Sequence, residues 1–137
     1  MKILFDTNVL LDVLLAREPW YQNALTLWQA NDTGLIHGHI SATTVTDIFY
    51  ISRRYTNAKG ALEAVITCLD AFSIIAIGQD ELKQATEMAG SDFEDNLQII
   101  AAKSVHLDAI VTRNVADFQN TQITIFTPEQ ALNSLKN

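Results

Sequence analysis

Short runs rich in β-branched and apolar residues alternate along the whole chain with longer stretches of helical period. This alternation restricts the fold more than any other feature. Five runs read as strands: Lys2 to Phe5, Leu35 to Ile40, Phe72 to Ile77, Ala109 to Thr112 and Ile123 to Phe126. Between them, Val45, Ile48, Phe49 and Ser52 recur at helical spacing, as do Leu62, Val65, Ile66 and Leu69. Helices are expected over Thr7 to Leu15, Trp20 to Asn31, Thr43 to Tyr55, Asn57 to Asp70, Asp80 to Ala89 and Phe93 to His106. A last short helix opens at Thr127-Pro128-Glu129-Gln130, with Thr as cap, Pro at the first helical position and Gln placed for a capping box. Strands joined by crossover helices run parallel, so the expected architecture is a three-layer α/β/α sandwich on a mostly parallel sheet.

With 137 residues, five Gly, two Pro and no Ser/Gly/Pro-rich stretch, the chain reads as a single domain over residues 1–137. Its 48% hydrophobic and 18% charged content suffices to fill one core and argues against disorder. A single cysteine, Cys68, rules out an internal disulfide and reads as a small apolar side chain in its helix. The apolar run from Ile3 to Leu15 is broken by Asp6, Asn8 and Asp12, so neither a signal peptide nor a membrane span is expected, and a cytoplasmic location is. Nine Lys and Arg against sixteen Asp and Glu leave a net charge of −7, which on composition alone disfavours nucleic acid.

In open parallel sheets, ligands bind at the carboxyl ends of the strands, and here those ends carry aspartates. Asp6 directly follows the first strand, and Asp47 lies early in the helix after the second. Asp92 and Asp95 open the helix leading into the fourth strand, and Asn114 and Asp117 follow that strand. Carboxylates converging without Lys or Arg partners repel one another unless a cation occupies the space. Oxygen donors of this kind suit Mg2+ or Mn2+. The matching chemistry is hydrolysis of a phosphodiester by metal-activated water, with no protein nucleophile.

Each acid also has a plain structural reading. Asp6 can cap the helix that starts at Thr7. Ser91 and Glu94 fit a capping box, which would leave Asp92 and Asp95 to complement the helix dipole, and that reading is favoured for Asp92 and Glu94. Asp117 fits a turn. Asp47, within the run Thr46-Asp47-Ile48-Phe49-Tyr50, is the most telling, because a short acid among apolar residues needs a partner or a metal.

Ile3 to Leu10, Ser41 to Ile51, Asp92 to Gln98 and Val111 to Phe118 together resemble the PIN-domain family, in the right order and across the entire chain. Within it the chain looks most like the VapC-type toxins of toxin–antitoxin pairs. The resemblance implies a Mg2+- or Mn2+-dependent endoribonuclease with sheet order 3-2-1-4-5 that cleaves RNA, usually as a homodimer paired with a small antitoxin protein. Carried over by position, it makes Asp6, Asp47, Asp95 and Asp117 the catalytic quartet. Asp6 and Asp95 would be the main metal ligands, Asp47 and Asp117 would act directly or through water, and Asp92 would be an auxiliary ligand. Thr7 and Asn8 match the polar pair after the first acid, and Asn114 matches a polar position near the fourth. Many PIN toxins carry Glu where this chain has Asp47, so its shorter side chain implies a contact through water.

Arg53, Arg54 and Lys59 form the nearest thing to a basic patch and are candidates to hold RNA phosphates, although a solvated helix end is the commoner meaning of such a run. His37 and His39 alternate on a strand with no third ligand nearby, which favours packing or surface over a transition-metal site. Trp20, Tyr21, Trp28, Phe49 and Tyr50 offer base-stacking faces, but their helical spacing favours core or dimer packing.

Two other classes compete. An aspartyl phosphatase would want a second Asp two residues after the first, where this chain has Asn8. A receiver-like domain would want an Asp ending the third strand, which instead runs Ile75-Ala76-Ile77-Gly78. A PIN-like scaffold with a dead site is the non-enzyme reading, and the presence of all four acids argues against it.

Overall fold

In the computed structural model, which describes residues 1–90, 92–118 and 121–136, five parallel strands form one sheet in the order β3-β2-β1-β4-β5. The strands are β1 (Lys2–Phe5), β2 (His37–Ser41), β3 (Ser73–Ile75), β4 (Ala109–Val111) and β5 (Thr124–Phe126). The helices are α1 (Thr7–Leu14), α2 (Tyr21–Asp32), α3 (Ala42–Tyr55), α4 (Ala58–Ala71), α5 (Gln79–Glu87), α6 (Phe93–Ser104) and α7 (Pro128–Ser134), with a short 3-10 turn at Val115–Phe118. Expected order and parallel pairing are both met.

Side chains alternate across the pleat, and this sorts the helices into two layers. Ile3, Phe5 and Val111 join a core built from Val9, Leu10 and Leu11 of α1, Leu27 and Trp28 of α2, Ile48 of α3, Cys68 of α4 and Ala131 of α7. Leu4 and Ile110 point the other way, against Ile99, Ala101 and Ala102 of α6. Ala85 of α5 packs with Leu97 and Ile100 of α6 beside that second cluster. Because every strand is parallel, the residues after β1, β2 and β4 emerge on one edge.

Gly38 in β2 is required by its neighbours. A Cβ there would stand 2.7 Å from two ring carbons of Phe72 and 3.0 Å from Asn31 Oδ1. Phe72 cannot retreat, since its ring is 4.9 Å from Phe5 and 4.8 Å from Trp28, centroid to centroid. Asn31 is fixed too: its Nδ2 donates to Ala71 O at 2.7 Å, and its Oδ1 accepts from Gly38 N at 2.7 Å. Gly38→Ala is therefore expected to lower the unfolding free energy by about 1–3 kcal/mol, as overpacked cores do. A shift of the urea midpoint with an unchanged slope would check it; an unchanged midpoint would refute it.

Several element limits differ from the sequence reading. Phe72 closes α4, with its N–H donating to Cys68 O, so β3 begins only at Ser73. Leu35 is an exposed turn residue beside Gly34, whose φ of +81° ends the approach to β2. On α4, Leu62, Ile66 and Leu69 are about half exposed, whereas Ala61 and Cys68 face inward. Small residues, not the large ones, let α4 lie against its neighbours. Asp92 caps α6 by accepting from Asp95 N at 3.0 Å, which corrects the expected Ser91–Glu94 capping box; Ser91 itself lies outside the described residues. Thr127, Pro128 and Gln130 open α7 as expected. No described helix is long and apolar enough to cross a membrane.

Candidate active site

A cleft of about 410 Å3 opens at the carboxyl edge of the sheet. Asp6, Thr7 and Asn8 enter it from the β1–α1 junction, and Asp47 and Arg54 enter from α3. Asp92, Glu94 and Asp95 come from the start of α6, while Asn114 and Asp117 come from the loop after β4. All four expected acids and Asp92 therefore line one space. Thr7, Asn8, Asn114 and Arg54 line it as well. Arg53 does not: adjacent helical residues point about 100° apart, so a helix that turns Arg54 into the cleft turns Arg53 to solvent.

Asp6 reconciles its two readings. Its Oδ1 accepts from Thr7 N at 2.9 Å, capping α1, while Oδ2 accepts from Thr112 Oγ1 at 2.8 Å. The carboxyl group is fixed from both sides and keeps lone pairs toward the cleft. Beneath it lies a buried polar floor. Thr44 Oγ1 accepts from Thr7 Oγ1 at 3.1 Å and from Gln98 Nε2 at 3.1 Å, and shares a hydrogen bond with Ser41 Oγ at 3.2 Å. Gln98 also favours the charged form of Asp6. Its Oε1 is buried without a donor, an uncommon state for a buried amide.

Asp6, Glu94 and Asp95 are displaced toward their neutral forms. Burial raises Asp6, against the opposing hydrogen bonds of Thr112, Thr7 and Gln98. Asp95 is pushed up to about 6, first by burial and then by the charges of Asp92, Asp6 and Asp117. Glu94 is pushed up to about 8, chiefly by a hydrogen bond with Asp47, with burial and neighbouring acids adding to it. Neighbouring acids thus raise Glu94 and Asp95 even though Arg54 lines the same cleft.

Glu94 was missed as a site residue because it fits the N3 position of a capping box. The available signal was density: Asp92, Glu94 and Asp95 put three acids in the opening turn of one helix, more than capping needs. Tyr50 and Ile51 also line the cleft, with Tyr50 62% exposed and free to contact a ligand.

The side chains lining this space that could ligate a metal offer oxygen, which is the donor chemistry of Mg2+ and Mn2+. Among the described residues, no three His, Cys, Asp or Glu side chains stand close enough together, as placed, to hold a metal ion between them. An open arrangement suits a hard ion that keeps several of its waters. The histidine pair does not compete: His37 and His39 stack at 4.5 Å, and His37 Nε2 is engaged with Ser73 Oγ at 2.9 Å. Trp28 is a core residue and Cys68 is buried, with its thiol pushed up to about 12 by burial, in keeping with an apolar role.

Sheet order and acidic edge together define a parallel α/β protein whose strand ends present a carboxylate cleft. The model of the PIN domain matches residues 2–116, and the chain belongs to the PIN-domain family. No curated protein matches the sequence. Among solved structures, the fold is similar to a toxin–antitoxin complex from Klebsiella pneumoniae, at 24% identity and TM-score 0.67, covering 92% of this chain and 97% of that one. It is also similar to DNA-bound VapBC from Salmonella typhimurium, at 16% identity and TM-score 0.71, covering 93% and 98%. A third similar structure is Mycobacterium tuberculosis VapC20, described as a Sarcin-Ricin loop cleaving toxin, at 14% identity and TM-score 0.65, covering 79% and 86%.

Proposed function

We propose that the protein is a metal-dependent endoribonuclease and the toxin of a toxin–antitoxin pair, acting on RNA in the cytoplasm. The observation that carries this reading is the convergence of Asp6, Asp47, Asp92, Glu94, Asp95 and Asp117 on one cleft, with Arg54 as the basic side chain among its lining residues. Asp6 and Asp95 would hold Mg2+ or Mn2+, with Asp47 and Asp117 engaged directly or through water and Asp92 as an auxiliary ligand. When bound, the ion supplies an activated water and neutralises charge on the phosphate.

The chain's own groups do the rest. Arg54 would present a guanidinium fork to a backbone phosphate, with Thr7, Asn8 and Asn114 as the uncharged polar residues lining the same cleft. Asp6 is held in place by Thr112 Oγ1, so its free lone pairs need no reorganisation. Glu94, pushed up to about 8 by Asp47, burial and the neighbouring acids, would be drawn back toward its carboxylate form by a bound cation.

Acidity is thus no obstacle to an RNA substrate. Four of the excess negative charges are the proposed quartet, and a bound cation turns that patch from repelling phosphate to attracting it. The description of VapC20 as a Sarcin-Ricin loop cleaving toxin supports the substrate class, and the toxin–antitoxin complexes among the similar structures support a protein partner. A homodimer would bury the half-exposed Leu62, Ile66 and Leu69, which follow one face of α4.

Incubation of the purified protein with structured and unstructured RNA tests the reading. Cleavage should require Mn2+ or Mg2+, stop with chelator and resume when excess metal is restored. Absence of cleavage, together with no Mn2+ binding by calorimetry, would instead mark a PIN-fold binding module.

A further inference from the structure

The geometry points to Asp12 as a positioning residue for the cleft: one buried carboxylate, clamped between Arg17 and Arg113, sets the segments that carry Asn8 and Asn114. Asp12 is 0% exposed, within α1 and away from the acidic cleft. Its Oδ1 accepts from Arg17 Nε at 2.9 Å. Its Oδ2 lies 3.0 Å from Arg113 Nε, an ionic contact that falls off the N–H axis. Two cations on one buried carboxylate is an arrangement that satisfies charge, whereas either arginine alone could have done so. The second has a different task.

Each arginine reaches a different wall of the cleft. Arg17 Nη2 donates to Asn8 O and to Asn8 Oδ1, both at 3.2 Å, and so fixes the Asn8 side chain as well as its backbone. Arg113 stands between Thr112, whose hydroxyl donates to Asp6 Oδ2, and Asn114, whose N–H donates to Thr112 Oγ1 at 3.1 Å. Its guanidinium carbon lies 3.8 Å over the Trp20 ring, a cation–π contact that closes the outer side. Asp12 therefore ties α1, the α1–α2 turn and the post-β4 loop into one rigid unit.

Backbone geometry agrees. Ala16 sits at φ +48°, a left-handed conformation that a residue with a Cβ holds only when its surroundings fix it. Arg17 N donates to Asp12 O at 3.0 Å across that turn, in addition to the side-chain pair. The turn is held twice by the same residue. A lysine would keep the charge but lose, at Arg17, the planar fork that spans Asp12 and Asn8 and, at Arg113, the guanidinium plane over Trp20.

The kinetic consequence of this inference rests on the nuclease reading, whereas its geometric core does not. Asp12→Asn and, as a second variant, Arg113→Lys are to be compared with wild type by hydrogen exchange and by RNA cleavage with Mn2+. Exchange should quicken about tenfold in segments 8–17 and 112–118 and stay unchanged in α4. kcat/KM should fall roughly 10- to 100-fold, the scale of an ångström-size misplacement. Adding Asn114→Ala to either variant should cost little more, since both would disturb the same wall. The inference is overturned if exchange in 112–118 is unaltered, if it rises equally throughout the chain, or if the losses with Asn114→Ala are fully additive. Should Asp12→Asn fail to fold, Arg113→Lys is read by the same criteria. If wild type cleaves no RNA, the nuclease reading falls, and the exchange measurements alone decide the positioning role.

Discussion

Asp95→Asn is expected to lower metal-dependent RNA cleavage by more than roughly 100-fold, since loss of even an outer partner of a metal ligand costs 10- to 100-fold. Asparagine keeps the size and one acceptor oxygen of the side chain, so the opening turn of α6 loses no packing. What it removes is charge. In the absence of metal, that charge is opposed by burial and by Asp92, Asp6 and Asp117, which together push the Asp95 carboxyl up to about 6. The same substitution is therefore expected to leave thermal stability unchanged or raised while activity is lost, a combination typical of sites where function sustains repulsion. Asp6→Asn should match it in activity but not in stability. Asp6 Oδ2 accepts from Thr112 Oγ1 at 2.8 Å, and an Asn Nδ2 in that place would force the hydroxyl to turn and accept. Initial rates on a labelled oligoribonucleotide, with melting curves of the same samples, would check both. Cleavage persisting in either variant would show that the activity belongs to a contaminant.

The parallel pairing and the edge that carries the acids were legible because both follow from local chemistry, whereas the strand order came from the resemblance to the PIN-domain family. β-Branched runs mark buried strands, crossover lengths make them parallel, and parallel strands put Asp6, Thr112 and the start of α3 on one side. Residues whose meaning depends on distant partners were not legible in the same way. Glu94 satisfies a capping pattern in sequence, yet its partner is Asp47, 47 positions away. Asp12 reads only as an interruption of an apolar run, and nothing local reveals that Arg113 crosses to it from the loop after β4. Gln98 is hidden in the same manner, one polar side chain among Leu97, Ile99 and Ile100 that turns out to bond Thr44 beneath Asp6. The large apolar residues of α4 misled for the opposite reason. Their spacing is helical, but the inward face is chosen by which side chains let two helices approach, and Ala61 and Cys68 do so where Leu62 and Leu69 do not.

Metal-free protein is expected to melt at lower temperature as pH rises from about 5.5 to 8, the reverse of ordinary acid denaturation. Asp6, Asp95 and Glu94 all bind protons more tightly in the fold than the ordinary values of 3.8 and 4.5 for free carboxyl groups, with Asp95 reaching about 6 and Glu94 about 8. Between the ordinary and the raised values the native state holds more protons than the unfolded one, so the slope of stability with pH is negative. Stability from these groups is fully present below about 4 and is lost as pH rises through 6 and then 8. Mn2+ acts in the opposite sense. It takes the deprotonated carboxylates, so its affinity rises over the same interval and its binding releases protons. The melting-temperature increment at a fixed Mn2+ concentration should therefore grow from pH 5.5 to 8, because stabilisation by a ligand follows the ratio of its concentration to its dissociation constant. Scans with chelator and with Mn2+ at several pH values separate the two effects. A metal-free melting temperature that climbs across this range, or a Mn2+ increment that ignores pH, would mean that the acidic groups do not share the cleft's charge as the geometry requires. In Asp95→Asn the Mn2+ increment should shrink at every pH, and its loss should be largest at pH 8, where the wild-type carboxylate is ionised and its charge contributes most to holding the ion.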